Sequence, residues 1–254
     1  MPIALVTDFG TADYYVGAMK GVMLAIDPDA VIVDITHEIK PQDISSAAFI
    51  LAACHKDFPL GTIFVCVVDP GVGTTRRKII VESNDQIFVG PDNGVFSFVL
   101  NDAPTITAIE NEKYFHHPVS NTFHGRDIFA PVAAHLSRGV TPGEIGSRIN
   151  DPIVLPAIRP EKMDDNTIVG SVLHIDRFGN IVTNITADMA ADAVELILSG
   201  RSITERREFY AGADPGKFFM IPGSAGFIEI SLNSRSAAEL LKATVGSPVT
   251  AILK

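Results

Sequence analysis

The chain has 254 residues, enough for one large domain or two modest ones around a buried core. Its net charge of −10 argues against nucleic acid and anionic membranes as partners, and its longest aliphatic runs, such as residues 63–68, are far too short to span a bilayer. The two cysteines, Cys54 and Cys66, sit among aliphatic neighbours without CxxC spacing, so both are expected to be small core residues rather than a disulfide or metal ligands. The opening "MPIALVTDFG" has no basic region and meets Asp8 early, so no signal peptide is expected and the expected location is the cytoplasm.

The first β-branched run covers residues 3–7, and a helical stretch, "ADYYVGAMKGVMLAI", follows it. Further strands are expected over 30–36, 62–68, 78–83 and 105–110, with helices over "DISSAAFILAACHKDF" and "DIFAPVAAHLSRG". Asp43 and Asp127 are the expected N-caps of those two helices. Continuous apolarity in the strands predicts cover on both faces, hence an α/β domain over residues 1–155 with a doubly wound, mostly parallel, Rossmann-like sheet. Residues 156–166 lie in a proline-rich, charged stretch and read as a linker. Over residues 167–254 the segments "TIVGSVLHID", "NIVTNI", "VELILSG", "FIEISL" and "PVTAILK" alternate with turns, predicting a smaller all-β, barrel-like domain.

Ligands of open α/β sheets bind beyond the carboxyl ends of the strands, and Asp8 and Asp69 fall at two such ends. Either could simply cap the turn that follows; two on neighbouring strands favour a site. A carboxylate there suits a vicinal diol such as a ribose, with Asp13 a second carboxylate close by. Neither "DFGTAD" nor "GVGTTR" completes a dinucleotide turn, and no G-x-x-x-x-G-K-[ST] occurs, which disfavours NAD and ATP chemistry by the usual motifs. Among the seven histidines none has metal-ligand spacing, and His124 stands out in "NTFHGRD" because it lies in a loop that opens a helix. In "HIDRFGNIVTN", Asp176 could accept from an amine, Phe178 could stack on a base and Asn180 could meet an adenine edge. Taken alone, that stretch reads first as a polar hairpin turn.

Together "TDFG", "VVDPGVGTTRR", "PDNG", "TFHGRDIFAP", "IDRFGNIVTN" and "GSAGFIEISLN" resemble the S-adenosyl-L-methionine hydroxide adenosyltransferases, also called S-adenosylmethionine hydrolases, the sister group of the fluorinating and chlorinating adenosyltransferases. The resemblance runs from Pro2 to the C-terminus. It implies an N-terminal α/β domain, a C-terminal β-barrel, and a homotrimer that binds its small-molecule substrate at subunit interfaces. The implied reaction is attack of water or hydroxide on ribose C5′ of S-adenosylmethionine, giving adenosine and methionine, with no cofactor and no metal. The family's catalytic Asp, Arg and His fall on Asp69, Arg76 and His124, leaving Arg77 as a solvated or interface charge. The resemblance further implies ribose contacts from Asp8 and Asp69 and adenine contacts from Phe178, Asn180, Tyr210 and the backbone around Ser234. Asp13, Asp176, Ser224 and Glu229 would hold the methionine end. Halogenating relatives differ at the Asp69 and His124 positions, and the fluorinating ones have a serine where this chain has Gly125, which favours water over halide. Their substrate-covering aromatic falls at Gln42 and an arginine beside their methionine-binding serine at Ala225. The rival expectations are a chloride adenosyltransferase and a sensor that binds S-adenosylmethionine or adenosine without consuming it.

Overall fold

A computed structural model describes residues 1–100, 103–155 and 159–254. The chain divides into two units, Met1–Leu155 and Pro156–Lys254. Of the expected linker, residues 156–158 lie outside the described residues, and its remainder contains a short strand given below.

In the first unit the aliphatic runs become β1 (Ile3–Thr7), β2 (Ile32–Thr36) and β3 (Ile63–Val67). β1 and β3 are buried along their whole length because alternate side chains enter two different cores. Ile3, Leu5, Ile63 and Val65 meet Met19 and Met23 of α1 (Tyr15–Ile26) on one face. Ala4, Val6, Phe64 and Cys66 meet Ala47 and Leu51 of α2 (Ile44–Cys54) on the other. Cys66 is thus a core residue as expected, whereas Cys54 is only half-buried. Asp43 caps α2, its side chain accepting from the Ser46 N–H at 2.9 Å.

The sheet departs from the mostly parallel expectation at β4 (Lys78–Ser83) and β5 (Gln86–Pro91), which form an antiparallel hairpin. Its two turn residues, Asn84 and Asp85, have φ of 53° and 57°, the left-handed pair of a type I′ turn. β5 inserts between β3 and β4, and the order, with β6 (Thr105–Ala108) and β7 (Arg148–Ile149), is β2-β1-β3-β5-β4-β6-β7. Pairs β1–β2, β1–β3 and β3–β5 are parallel; β4–β5, β4–β6 and β6–β7 are antiparallel. The sheet is mixed.

A π turn over Gly125–Phe129 leads into α3 (Ala130–Ser137), and α4 (Pro142–Ile145) is closed by a Thr141–Glu144 capping box. Asp127 is not an N-cap. It sits inside the π turn, fully buried, and its partners are described below.

The second unit contains β8 (Glu161–Lys162), β9 (Thr167–Ile175), β10 (Ile181–Thr186), β11 (Ala193–Leu198), β12 (Arg201–Ile203), β13 (Phe218–Pro222), β14 (Phe227–Leu232) and β15 (Pro248–Leu253). The path is β12-β11-β15-β9-β10-β14-β13, with β8 on β9, all antiparallel. Just past β12 the Arg207 N–H donates to Met220 O at 3.0 Å and the Met220 N–H donates to Glu205 O at 2.8 Å, so the two end strands come together and the sheet is nearly a barrel. One short helix, α5 (Ala237–Leu241), accompanies the strands. Among the described residues no helix is long and apolar enough to cross a membrane.

Candidate active site

The topology of the first unit brings three predicted residues to one edge. Asp8 follows β1 and Asp69 follows β3, two parallel strands that end on the same side. Because β4 runs antiparallel to β5, which parallels β3, β4 begins on that side too, and Arg76 lies just before it. A parallel β4 would start at the opposite edge.

Between them, turns at Val72 and Thr74 fold the chain back: the Val72 N–H donates to Asp69 O at 3.2 Å and the Thr74 N–H to Gly71 O at 3.1 Å. Gly73 has φ +78°, and a Cβ there would stand 2.2 Å from the carbonyl oxygen of Asn121. Only glycine permits so close an approach between this loop and the one that carries His124.

Arg76 is the hub. Its Nε donates to Asp69 Oδ1 at 2.7 Å and its Nη2 to Asp69 Oδ2, a two-pronged pair. The same Nη2 lies 2.9 Å from His124 Nδ1. A guanidinium has no lone pair to offer, so His124 accepts through Nδ1, is neutral, and carries its proton on Nε2. Burial, chiefly, lowers the His124 pKa below the ordinary histidine range, and the positive charges of Arg76 and Lys78 add to this against Asp69 and Asp127. The side chains of Asp69 and Arg76 are 5% and 10% exposed, so most of the pair lies out of bulk solvent. Arg77, its side chain 36% exposed, pairs with Asp92 at 2.7 Å and Asp151 at 2.7 Å.

Asp69 and His124 line a cavity of about 410 Å³ together with Asp8, Gln42 and an aromatic wall of Phe9, Tyr15 and Phe123. The Tyr15 and Phe123 rings meet edge to face at 5.0 Å. Asp8 accepts from the Gln42 N–H at 2.9 Å, with Gln42 held at φ +69°. Burial raises the Asp8 pKa; the Gln42 N–H opposes the rise and the Asp69 charge adds to it. Asp13 is exposed in the preceding loop and does not line this cavity. The sequence reading missed Phe9, Tyr15 and Phe123, although "DFG", "DYY" and "TFH" put an aromatic beside each candidate polar residue.

The second unit has its own cavity, about 650 Å³, lined by Asp176, Phe178, Asn180, Tyr210 and Ser234 with the unpredicted Arg235. Phe178 is 78% exposed, leaving its ring face free to stack. Asp176 accepts from the Phe178 and Asn180 backbone N–H groups at 2.9 and 2.8 Å and from Asn180 Nδ2 at 2.8 Å, so the turn's own bonds occupy it. Tyr210 donates its hydroxyl to Glu229 Oε2 at 2.8 Å; Glu229 is buried behind the wall rather than part of it, and burial raises its pKa. Ser224 lies exposed in the β13–β14 turn, outside the lining. Among the described residues no group of three or more His, Cys, Asp or Glu side chains is placed to hold a metal ion.

Residues 3–146 match the SAM hydroxide adenosyltransferase N-terminal domain and residues 170–250 match the SAM hydroxide adenosyltransferase C-terminal domain. The chain is 36% identical to an (R)-S-adenosyl-L-methionine hydrolase of Thermus thermophilus, covering 98% of each. A fluorinase of Nocardia brasiliensis is 30% identical over 72% of this chain and 70% of its own. A crystal structure of an uncharacterized conserved protein from Thermotoga maritima superposes with a TM-score of 0.89 at 36% identity, covering 98% of this chain and 99% of that one.

Proposed function

We propose the reaction of this chain from one premise: it belongs to the SAM hydroxide adenosyltransferase family. It is an S-adenosyl-L-methionine hydrolase. A water oxygen attacks ribose C5′ in line with the C5′–S bond, that bond breaks, and the sulfur leaves with the electron pair as the neutral thioether of methionine. The attacking water sheds one proton, so the products are adenosine, L-methionine and H⁺. The hydrolase of Thermus thermophilus is named for the R configuration at sulfur, and that epimer is the proposed substrate.

The observation that carries the reading is the Arg76 fork shared between Asp69 and His124 on the wall of a cavity that also presents Asp8. The leaving group is neutral, so no acid is required, and the demand falls on holding a weak nucleophile in line. Asp69 retains lone pairs beyond those Arg76 uses and accepts from the water, while His124 Nε2–H faces it as a donor. Fixing such a geometry contributes roughly 7–11 kcal/mol in favourable cases. Asp8 takes the ribose hydroxyls. Phe178, Asn180, Tyr210 and the backbone at Ser234 take the adenine, and of the residues expected at the methionine end Asp13 and Ser224 are exposed, whereas Glu229 acts from behind the wall through Tyr210. A homotrimer that binds the substrate at subunit interfaces, as the family resemblance implies, is the proposed assembly.

The test is chromatography of the purified protein with S-adenosylmethionine, with and without excess chloride. Equal amounts of adenosine and methionine are expected in both. 5′-Chloro-5′-deoxyadenosine would show halide transfer instead, and ligand bound without any methionine would show a sensor.

Arg76 donates to His124 Nδ1 only while His124 is neutral, so activity falls as pH drops through the His124 pKa. Because burial lowers that pKa, the acid limb is expected below the ordinary histidine range, and a limb centred above it would contradict the neutral-acceptor assignment. The rate against pH under saturating substrate measures it.

A further inference from the structure

The Asp127 carboxylate is fully buried, yet it reaches neither the cavity nor the Arg76 fork. Its Oδ2 accepts from the Ser120 backbone N–H at 2.8 Å, and its two oxygens accept from Arg126 Nε at 2.6 Å and Nη2 at 3.0 Å. Its backbone carbonyl is used as well. In an α-helix that carbonyl would accept from residue 131, but Pro131 has no N–H, and the His116 N–H takes the oxygen at 2.8 Å instead. Asp127 therefore holds residues 116 and 120, upstream of His124, while its own N–H donates to Phe123 O at 3.1 Å. Arg126, drawn onto Asp127, stacks over the Phe123 ring at 5.1 Å, and Phe123 lines the cavity. The π turn begins at the residue after His124, a widened turn of the kind frequent at functional sites.

We propose that Asp127 is a positioning residue for His124, fastening the 116–124 segment by side chain and carbonyl so that the imidazole Nδ1 stays on Arg76. The inference rests on the reading of His124 as part of the water-holding group. Its function is distinct from capping: the carboxylate grips a backbone N–H in the loop ahead of the helix, not the helix's own first turn.

The test is a double-mutant cycle between Asp127→Asn and His124→Ala, with kcat and KM measured for each form. Asparagine keeps the shape and one acceptor oxygen but loses the charge that binds Arg126. Asp127→Asn is expected to lower kcat by about ten- to hundredfold, the scale of a sub-ångström to 1 Å misplacement, with KM changed by less than about threefold. In the His124→Ala background the same change is expected to cost less than about twofold, because the group it positions is already gone. An equal loss in both backgrounds, or wild-type kcat in Asp127→Asn, overturns the inference. Near-wild-type turnover of His124→Ala itself would instead overturn the underlying reading, so the two failures are distinguishable. Asp127→Ala is the larger lesion; should it fail to fold, the asparagine cycle decides alone.

Discussion

Asp69→Asn is expected to reduce turnover of S-adenosylmethionine by about two orders of magnitude or more, the scale on which a positioned acid–base group acts. Asparagine preserves the side chain's shape, one acceptor oxygen and the site's packing, but it presents an amide where Arg76 now meets a second carboxylate oxygen. The fork swings, Arg76 loses its alignment with His124, and the water loses an anionic acceptor. Both Asp69 oxygens are already engaged by Arg76, so in the proposed mechanism Asp69 orients the water more than it removes the proton. Asp69→Ala is expected to match the loss in rate and to add a loss of stability, because it strands a guanidinium that is 10% exposed. Adenosine release from the purified variants measures the rate, and near-wild-type release would remove Asp69 from the reaction.

Arg76→Ala is expected to be the most damaging single change. It leaves Asp69 buried without a partner and close to Asp8, two carboxylates that repel, and removing one member of a buried pair typically costs about 3–5 kcal/mol. It also removes the donor to His124 Nδ1, so the imidazole is free to change tautomer. Arg76→Lys separates the effects. Lysine restores a positive charge near Asp69 and most of the stability, but its single ammonium lacks the planar fork that reaches both Asp69 oxygens and His124 together. The lysine variant is therefore expected to unfold within about 2 kcal/mol of wild type and still turn over about a hundredfold more slowly. Denaturant unfolding paired with the adenosine assay reads both quantities. A lysine variant with wild-type activity would reduce Arg76 to a counter-ion.

What the sequence made legible follows the range of the forces involved. β1, β3 and β4 stand within a residue of expectation because an uninterrupted apolar run leaves few alternatives to a buried strand. Asp43 was readable because a cap bonds three residues away. β5 was missed because Asn84–Asp85 lacks the glycine that usually advertises a type I′ turn, and without that hairpin the sheet reads as parallel. Asp127 was misread because its partners are fixed by tertiary packing and by a proline four residues on, neither of which a capping pattern encodes. Asp8, Asp69 and His124 were legible from strand ends and a loop before a helix, whereas Arg76 and the Phe178–Asn180 turn came from the family resemblance. Asp13 and Ser224 lie exposed outside the two cavities, and Glu229 supports Tyr210 from behind.

The antiparallel β4 carries a consequence for how such a site can change over generations. Asp69 and Arg76 are only seven positions apart, and both ends of their loop are rooted on the same rim of a rigid sheet. The pair can be inherited, lost or exchanged as a single short cassette, with the strand order untouched. His124 arrives from 48 positions further along, on a segment with separate anchors. Substitutions in the cassette can thus alter the carboxylate and the cation without moving the segment that carries His124.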